Sequence, residues 1–521
     1  MAKDTRPVTR PSAGPRPAAY GFINQLLDPG TFVSWDQPPD EPTDISGDYR
    51  EALAHARRTA GTNESALTGA GTLGGRPIAV IVSEFGFLGG SIGIACAERI
   101  EQAIRRATAQ RLPILAAPAS GGTRMQEGTL AFVRMISITA AITAHREAGL
   151  PYLVYLRHPT TGGVFASWGS LGHVTFAEPG ALLGFVGPRV SAALNRAPFP
   201  PGIQTAENLA RHGLIDAVAP FDQLRALLTR TLRIIMHTPE PSPAGDNITG
   251  DVVTAVSADS AWEMVLATRS PARPGVRDLL ADFETVPLLG SASGAHLGLA
   301  TALAQVGQES FVLIGQDAAA QRGGQTLGPA DLRLARRCIR LAEELGLPLV
   351  TVIDTPGVSM SRDAEESGLS MEIARCLTAL LTVAVPTVAV LLGEGAGGGA
   401  LAFLPADRIV AVSDAWLAPL PPEGSSAVMH KGDPSNAAAI AQAQGITVRK
   451  LAAAGIVDAV VSVPGRDVAS FAHEVLDEVI RQIVIARLAP EGQRIKNRPM
   501  RFNSTRIPEF GGNCGSTHPI S

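Results

Sequence analysis

Cysteine is scarce in this chain. Four residues, Cys96, Cys338, Cys376 and Cys514, are spread over 521 positions with no CxxC pair. That spacing offers no zinc ribbon and no disulfide framework, and it suits a reducing cytoplasm as the expected compartment. Charge is sparse too, at 18% of residues with a formal net charge of −4 and a sequence pI of about 6.2. No long-range field gathers nucleic acid or an acidic membrane, so neither is expected as a partner. The opening stretch MAKDTRPVTRPSAGPRPAAYG carries Pro and charge where a secretory signal needs an apolar run of at least about seven residues. The longest uncharged apolar run, residues 376–393, just reaches the roughly 18 residues of a membrane span. Pro386 breaks it, and the TVAVLLG that follows is short and β-branched like a buried strand. No export signal and no membrane span are expected. Neither a Walker GxxxxGK[ST] nor an HExxH occurs, and no serine nucleophile elbow is assigned.

What the chain has in quantity is glycine (54) and proline (39), within a composition that is 45% hydrophobic. This describes a well-buried globular protein rich in turns. Its length exceeds the roughly 250–300 residues at which one core stops growing, so two or three domains are expected.

An internal repeat sets the organisation. Leu112-Pro113 in TAQRLPILAAPASGG recurs as Leu347-Pro348 in EELGLPLVTVIDTPG, and Leu150-Pro151 recurs as Val385-Pro386; 348 − 113 and 386 − 151 are both 235. At the same offset Gly89 and Gly93 fall on Gly324 and Gly328, Gly122 on Gly357, and Gly162-Gly163 on Gly397-Gly398. Further on, HGLIDAV at 212–218 recurs as AGIVDAV at 454–460, an offset of 242, so about seven residues entered between. Each copy reads as strand, glycine-rich turn and helix, and the second helix opens at Pro329 with Asp331 in its first turn. The strands ILAAPA, LVTVID, YLVYL and TVAVLLG are continuously apolar, as sheets covered on both faces require. The expected organisation is an irregular arm over 1–35, a first domain over 36–236, a Pro-rich linker over 237–260, a second domain over 261–489 and an irregular tail over 490–521.

Where a strand ends in glycines and a helix begins, unpaired backbone N–H groups and the helix dipole together attract an oxyanion. Gly121-Gly122 in ASGGTRMQEG and the run in GEGAGGGALAF are such places. One such turn alone only permits close packing; two at one repeat offset, beside TTGGV and LPPEGSSA, favour chemistry. His158 and His173 flank glycine-rich segments, but a lone His at a strand end is more often a hydrogen-bonded structural residue. Arg124 pairs with Glu127 or with a ligand anion, and Trp168 among small residues reads as core.

The phrases SGGTRMQEG, HPTTGGVFASWGSLGH and AEPGALLGFVGPRV resemble the β subunit of the acetyl-CoA carboxylase carboxyltransferase. LIGQD, LAEELGLPLVTVIDTPG, EGAGGGALAF and LPPEGSSAV resemble the α subunit. Over about residues 75–465 the chain is thus similar to the fused β-α type of the actinobacterial acyl-CoA carboxylases. The resemblance implies an α/β protein made of two tandem crotonase-like (ClpP/crotonase) ββα superhelices. It implies an enzyme that moves a carboxyl group from carboxybiotin on a separate carrier to acetyl-CoA, giving malonyl-CoA for fatty-acid synthesis. Carried over by residue, Gly121, Gly122 and Thr123 hold the thioester oxygen of the coenzyme A substrate. Gly398, Gly399 and Ala400 hold the biotin ureido oxygen, and Gly162 and Gly163 join the cofactor contacts. The resemblance departs at Thr123, where many relatives carry Ala, and in the triple glycine, so the donors are placed to within a residue. Bacterial β subunits often carry a four-cysteine zinc ribbon; none precedes Cys96, so no metal is expected. No Met-Lys-Met biotinylation motif occurs, so biotin carboxyl carrier and biotin carboxylase are expected as partner chains. The chain itself is expected to be a homo-oligomer, a dimer or trimer of dimers. Two alternatives stay open: a malonyl-thioester decarboxylase of the same fold, and a non-catalytic assembly subunit.

Overall fold

The computed structural model describes residues 17–40, 45–187, 199–237, 260–289, 298–462 and 468–503. The first half builds one sheet from β1 (Val33–Ser34), β2 (Ala66–Leu73), β3 (Arg76–Ser83), β4 (Ile114–Ala117), β5 (Tyr152–Leu156), β7 (Val174–Ala177) and β9 (Ala217–Val218), in that spatial order; β6 (Thr160–Thr161) and β8 (Leu183–Gly184) pair separately. The second half repeats the order with β10 (Glu284–Pro287), β11 (Leu299–Val306), β12 (Glu309–Gln316), β13 (Leu349–Thr355), β14 (Thr387–Ala396), β15 (Arg408–Val412) and β17 (Ala459–Val461), while β16 (Trp416–Ala418) pairs the end of β14. In each half the first three strands are antiparallel and the rest parallel. Ile114 faces Tyr152 in the first sheet and Leu349 faces Thr387 in the second, so both members of the pair are shifted by the repeat offset of 235.

Each leading hairpin turns on two residues. Gly74 and Gly75 have φ of +57° and +77°, the backbone that a type I′ hairpin turn needs and that glycine adopts without strain. The continuously apolar strands are buried on both faces, as expected. On β3, Ile78, Val80 and Val82 enter one core while Ala79 and Ile81 enter another on the opposite face. The first of these cores runs on into the second half through Leu232, Ile235, Leu288 and Leu303, so the halves share buried surface. The repeated aspartates tie neighbouring strands together: Asp216 accepts the Thr175 N–H at 2.7 Å, and Asp458 accepts the Ile409 N–H at 2.7 Å.

The run over 376–393 is divided, as the sequence suggested, into the end of helix Leu369–Thr382 and the start of β14. Among the described residues one helical stretch, Met125–Glu147, has the length and apolarity of a membrane span, with 33% of that window buried. It packs on helix Ile94–Ala109 through Met135, Ile138, Ala141 and Ile142.

Two sequence expectations fail at the ends. The arm 1–35 is not irregular where it is described. Helix Ala19–Leu26 buries Phe22, Ile23 and Leu26 against the first sheet, and Phe22 stacks on Tyr155 with centroids 5.9 Å apart. Asp28 then receives the Gly75 and Gly74 N–H groups of the first hairpin and the Thr72 hydroxyl, bonds that hold its carboxyl below the usual range. The tail is not irregular either, because residues 491–503 form a helix. It has no long apolar stripe to betray it, since arginine fixes it in place. The buried Arg498 meets Asp407 at 2.7 and 2.9 Å and the carbonyls of Leu380, Val383 and Val385. The linker reading falls on 238–259, outside the described residues.

Breaking a buried ion pair from one side costs about 3 kcal/mol. Arg498→Met is therefore expected to lower the urea midpoint of the second half by that equivalent, followed by the fluorescence of Trp416. A shift under about 1 kcal/mol would mean that this helix does not anchor the fold.

Candidate active site

The first glycine turn leaves β4 at Ala117. Gly90 passes so close that a Cβ there would lie 2.0 Å from the Ala119 carbonyl oxygen, so only glycine fits. The chain then bridges to Ile92, whose N–H donates to the Gly122 oxygen while the Arg124 N–H donates to the Ile92 oxygen, both at 2.9 Å. In a parallel bridge of this kind the N–H of the central residue, Thr123, points the other way. The Gly121 N–H is used by Gly89 O at 3.0 Å, and that of Gly122, at φ +114°, by Ser120 Oγ at 3.0 Å. Among the described residues nothing takes the N–H of Thr123. Gly162, at φ +64°, gives its N–H to Phe185 O, but Gly163 lies in the first turn of helix Gly162–Phe165, where N–H groups have no partner within the helix. The two segments touch. A Cβ on Gly122 would sit 3.7 Å from the Gly162 Cα and 3.8 Å from the Gly163 nitrogen. Two free donors, Thr123 and Gly163, thus converge.

The second half repeats this arrangement 235 residues later. Gly357, at φ +134°, gives its N–H to Thr355 Oγ1 at 3.1 Å, and the bridge of Val358 with Leu327 turns the Val358 N–H outward. Gly398 lies in the first turn of helix Gly397–Leu401. A Cβ on Gly399, which follows it, would be 3.7 Å from the Gly357 carbonyl carbon. Val358 and Gly398 are the counterparts of Thr123 and Gly163.

Of the residues named from sequence, the structure therefore brings Thr123 and Gly163 together as donors, with Gly121, Gly122 and Gly162 shaping the turn that presents them. Gly162 and Gly163 belong to the first turn rather than to the one at Gly398. Among the described residues nothing takes the N–H of Gly398; Gly399 is packed under Val358 and Leu327, and its carbonyl accepts from Gln316 Nε2 at 2.7 Å. Ala400 is the residue whose N–H the helix uses for its first internal bond, to Ala396 O. Val358 was missed, although the offset from Thr123 lands on it. Ser91 was missed as well: Gly89-Gly90-Ser91-Ile92-Gly93 does have GxSxG spacing. Its Oγ receives Arg124 Nε at 3.4 Å, and among the described residues no histidine bonds it. His158 and His173 accept backbone N–H groups from Leu182 and Tyr152 through Nδ1, and Trp168 is fully buried. Cys96, Cys338 and Cys376 are buried, which pushes their thiols up to about 12 and leaves them inert.

Different electrostatics hold the two turns. At the first, burial opposes the charge of Arg124, but the two-pronged pair with Glu64 at 2.6 and 2.7 Å outweighs it and raises its pKa above the ordinary value. Arg124 also reaches Ser91 O and Glu127, and Glu127 accepts the Tyr49 hydroxyl and the Ile94 N–H. Arg124 is thus spoken for by Glu64 rather than free for a ligand. At the second, a cavity of about 280 Å³ lies beside Gly357, lined by Pro356, Glu394, Arg269, Arg322 and Trp416. Glu394 meets Arg269 at 2.7 Å and Arg322 at 3.1 Å. Behind it Asp354 accepts the Glu394 N–H, and burial pushes its carboxyl up to about 7.

A carboxyl transferase domain matches residues 43–483. The chain belongs to the carboxyl transferase family. It is 50% identical over 488 residues to the probable biotin-dependent acyl-coenzyme A carboxylase beta3 subunit of Mycobacterium tuberculosis, covering 93% of this chain and 97% of that one. It is 38% identical to the acetyl-coenzyme A carboxylase carboxyl transferase subunits beta/alpha of Salinispora arenicola, over 96% and 92% of the two chains. The transcarboxylase 12S crystal structure, described as a hexamer assembly, superposes with a TM-score of 0.74 at 21% identity over 95% of this chain and 92% of that one. The duplicated crotonase-like fold of this carboxyl transferase is thereby shown.

Because Asp354 is protonated in the fold up to about pH 7 and ionises near 4 when unfolded, the folded state binds the extra proton between those values. Stability from this group is highest below about pH 4 and falls as pH rises toward 7. Asp354→Asn, which keeps the Oδ1 acceptor, is expected to gain roughly 1–3 kcal/mol more over wild type at pH 8 than at pH 5 in urea denaturation. An equal difference at both would mean that Asp354 is already ionised in the fold.

Proposed function

We propose that this carboxyl transferase is the transferase component of an acyl-CoA carboxylase, carrying the carboxyl group from carboxybiotin on a separate carrier to acetyl-CoA to give malonyl-CoA. The observation that carries the reading is the matched pair of donor sets, Thr123 with Gly163 and Val358 with Gly398, each without a hydrogen-bond partner among the described residues. Removing the α-proton of a thioester places negative charge on its oxygen, and the first pair would stabilise that enolate, each donor contributing roughly 3 kcal/mol. The second pair, beside the cavity of Arg269 and Arg322, suits the ureido oxygen of biotin, which gains negative charge as the carboxyl group leaves. Bound there, carboxybiotin supplies the carboxyl group and a basic ureido nitrogen. This accounts for turns without a side-chain base: the histidines nearby are locked in backbone hydrogen bonds. The names of the curated relatives support the thioester and biotin assignments, and three buried, inert thiols suit the cytoplasm.

The same reading calls for a second copy of the chain. Around the first turn, Met125, Leu130, Phe132, Val133 and Ile136 are exposed on the Met125–Glu147 stretch, Met125 at 82% and Ile136 at 71%. A contiguous apolar face of this kind marks an interface. The occupant we propose is the second half of a partner copy, bringing its Val358 and Gly398 across a two-fold axis to complete each site.

Reconstituted with carrier and biotin carboxylase, the wild type is expected to carboxylate acetyl-CoA in an ATP-dependent manner. Carbon dioxide release from malonyl-CoA without ATP, with no forward reaction, would favour the decarboxylase instead. Gly163→Pro removes one donor at a first-turn position that tolerates proline, and turnover should fall by roughly a hundredfold or more with folding retained. Near-normal turnover would reduce the turn to a structural element. The shared site makes a separate demand. When Gly163→Pro and Gly398→Pro proteins are unfolded and refolded together, about half the dimers are mixed, and one site of each mixed dimer inherits neither lesion. Roughly a quarter of all sites should then regain activity. A mixture as inactive as its parents, with mixed dimers present, would place both turns of a site within one chain.

A further inference from the structure

A cavity of about 220 Å³ lies at the seam between the halves, and neither glycine turn contributes to its lining. The first half contributes Arg146, His173 and Asp216; helix Pro329–Leu345 of the second contributes Arg337, Arg340 and the apolar Leu341. Its charges do not balance. Arg146 is matched by Glu344 at 2.5 Å, and Glu344 also faces His173 at 3.2 Å. Burial lowers the pKa of His173, so that ring adds no charge near neutrality. Asp216 already accepts the Thr175 and Leu289 N–H groups, and it meets Arg337 through one Nη at 3.2 Å. Arg340 is exposed and has no acidic partner among the described residues. Counting Arg146, Arg337 and Arg340 against Asp216 and Glu344 leaves one positive charge uncompensated. Arg337 and Arg340, three positions apart on one helix, share a face and open into the same space.

We propose that this cavity binds a small oxyanion, inorganic phosphate or a short dicarboxylate, which joins the two halves of one chain by engaging Arg337 and Arg340 of the second half and Arg146 of the first. Guanidinium groups suit such ligands because their planar forks donate two hydrogen bonds to a phosphate or carboxylate. Size sets the class: a cavity of about 150 Å³ holds a benzene ring, so this one takes roughly nine non-hydrogen atoms. Phosphate and malonate fit, whereas coenzyme A would enter by no more than one of its phosphates.

The test is thermal melting of the full chain in phosphate-free buffer, with sodium phosphate and disodium malonate each titrated against sodium chloride at matched ionic strength. A ligand bound only by the folded state raises Tm saturably, here by on the order of a few degrees at high occupancy. We expect that rise with phosphate, malonate or both, no saturable rise with chloride, and its loss in Arg340→Gln and Arg340→Glu. Arg340 is exposed and without an acidic partner among the described residues, so the ligand-free melting points of both variants should stay within about a degree of wild type. The source of the anion follows from which salt acts. No saturable rise in the wild type, or an equal rise in the Arg340 variants, overturns the site. So does an Arg340-dependent rise produced by coenzyme A alone, which would make the cavity part of the thioester track.

Discussion

A backbone N–H can face a ligand only if no carbonyl of its own chain reaches it first, and the architecture of both halves serves that condition. Each turn spends the N–H groups that would otherwise close on themselves: Gly122 donates to Ser120 and Gly357 to Thr355, while a bridge to Ile92 or Leu327 occupies the residues on either side. What is left over is one outward N–H from the turn and one from the first turn of the next helix. Their convergence requires glycine, because Gly122 and Gly162 approach so closely, with φ of +114° and +64°, that side chains there would strain the backbone or fill the gap.

Holding a loop with such an unsatisfied donor demands rigid support, and the halves supply it by different means. The first uses Arg124, buried and clamped by Glu64 and Glu127, to tie the turn to helices Gly47–Ala60 and Ile94–Ala109 through Tyr49 and Ile94. The second replaces that clamp with Asp354 and Glu394 facing Arg269 and Arg322, which leaves a polar cavity open beside the turn. Geometry was kept through the duplication while the electrostatics diverged. That divergence suits two ligands of different shape whose oxygens develop the same charge.

Arginine recurs as the means of joining distant segments. Arg498 and Arg501 fasten the C-terminal helix to the second sheet through Asp407 and Asp458, and Arg146 and Arg337 join the halves through Glu344 and Asp216. The planar, always-charged group binds carboxylates and carbonyls at once, so a helix of such composition can dock without an apolar stripe. The exposed face at Phe132 and Ile136 is the opposite case, apolar surface left uncovered by the described residues of its own chain.

The sequence by itself determined the duplication, the buried two-faced sheets and the glycine turns, because these rest on local backbone rules and a fixed offset that survive without coordinates. It located the turns but not the donors. Which N–H is free depends on what lies across from it: Gly89 takes the Gly121 hydrogen, Ser120 the Gly122 hydrogen and the helix the Ala400 hydrogen, and none of these pairings has a signature in the residue types. The same holds for the ordered ends, where Phe22 and Arg498 have meaning only against partners more than ninety residues away. Tertiary structure decided those points because a hydrogen bond is a relation between two places in the fold, and the sequence names only one of them at a time.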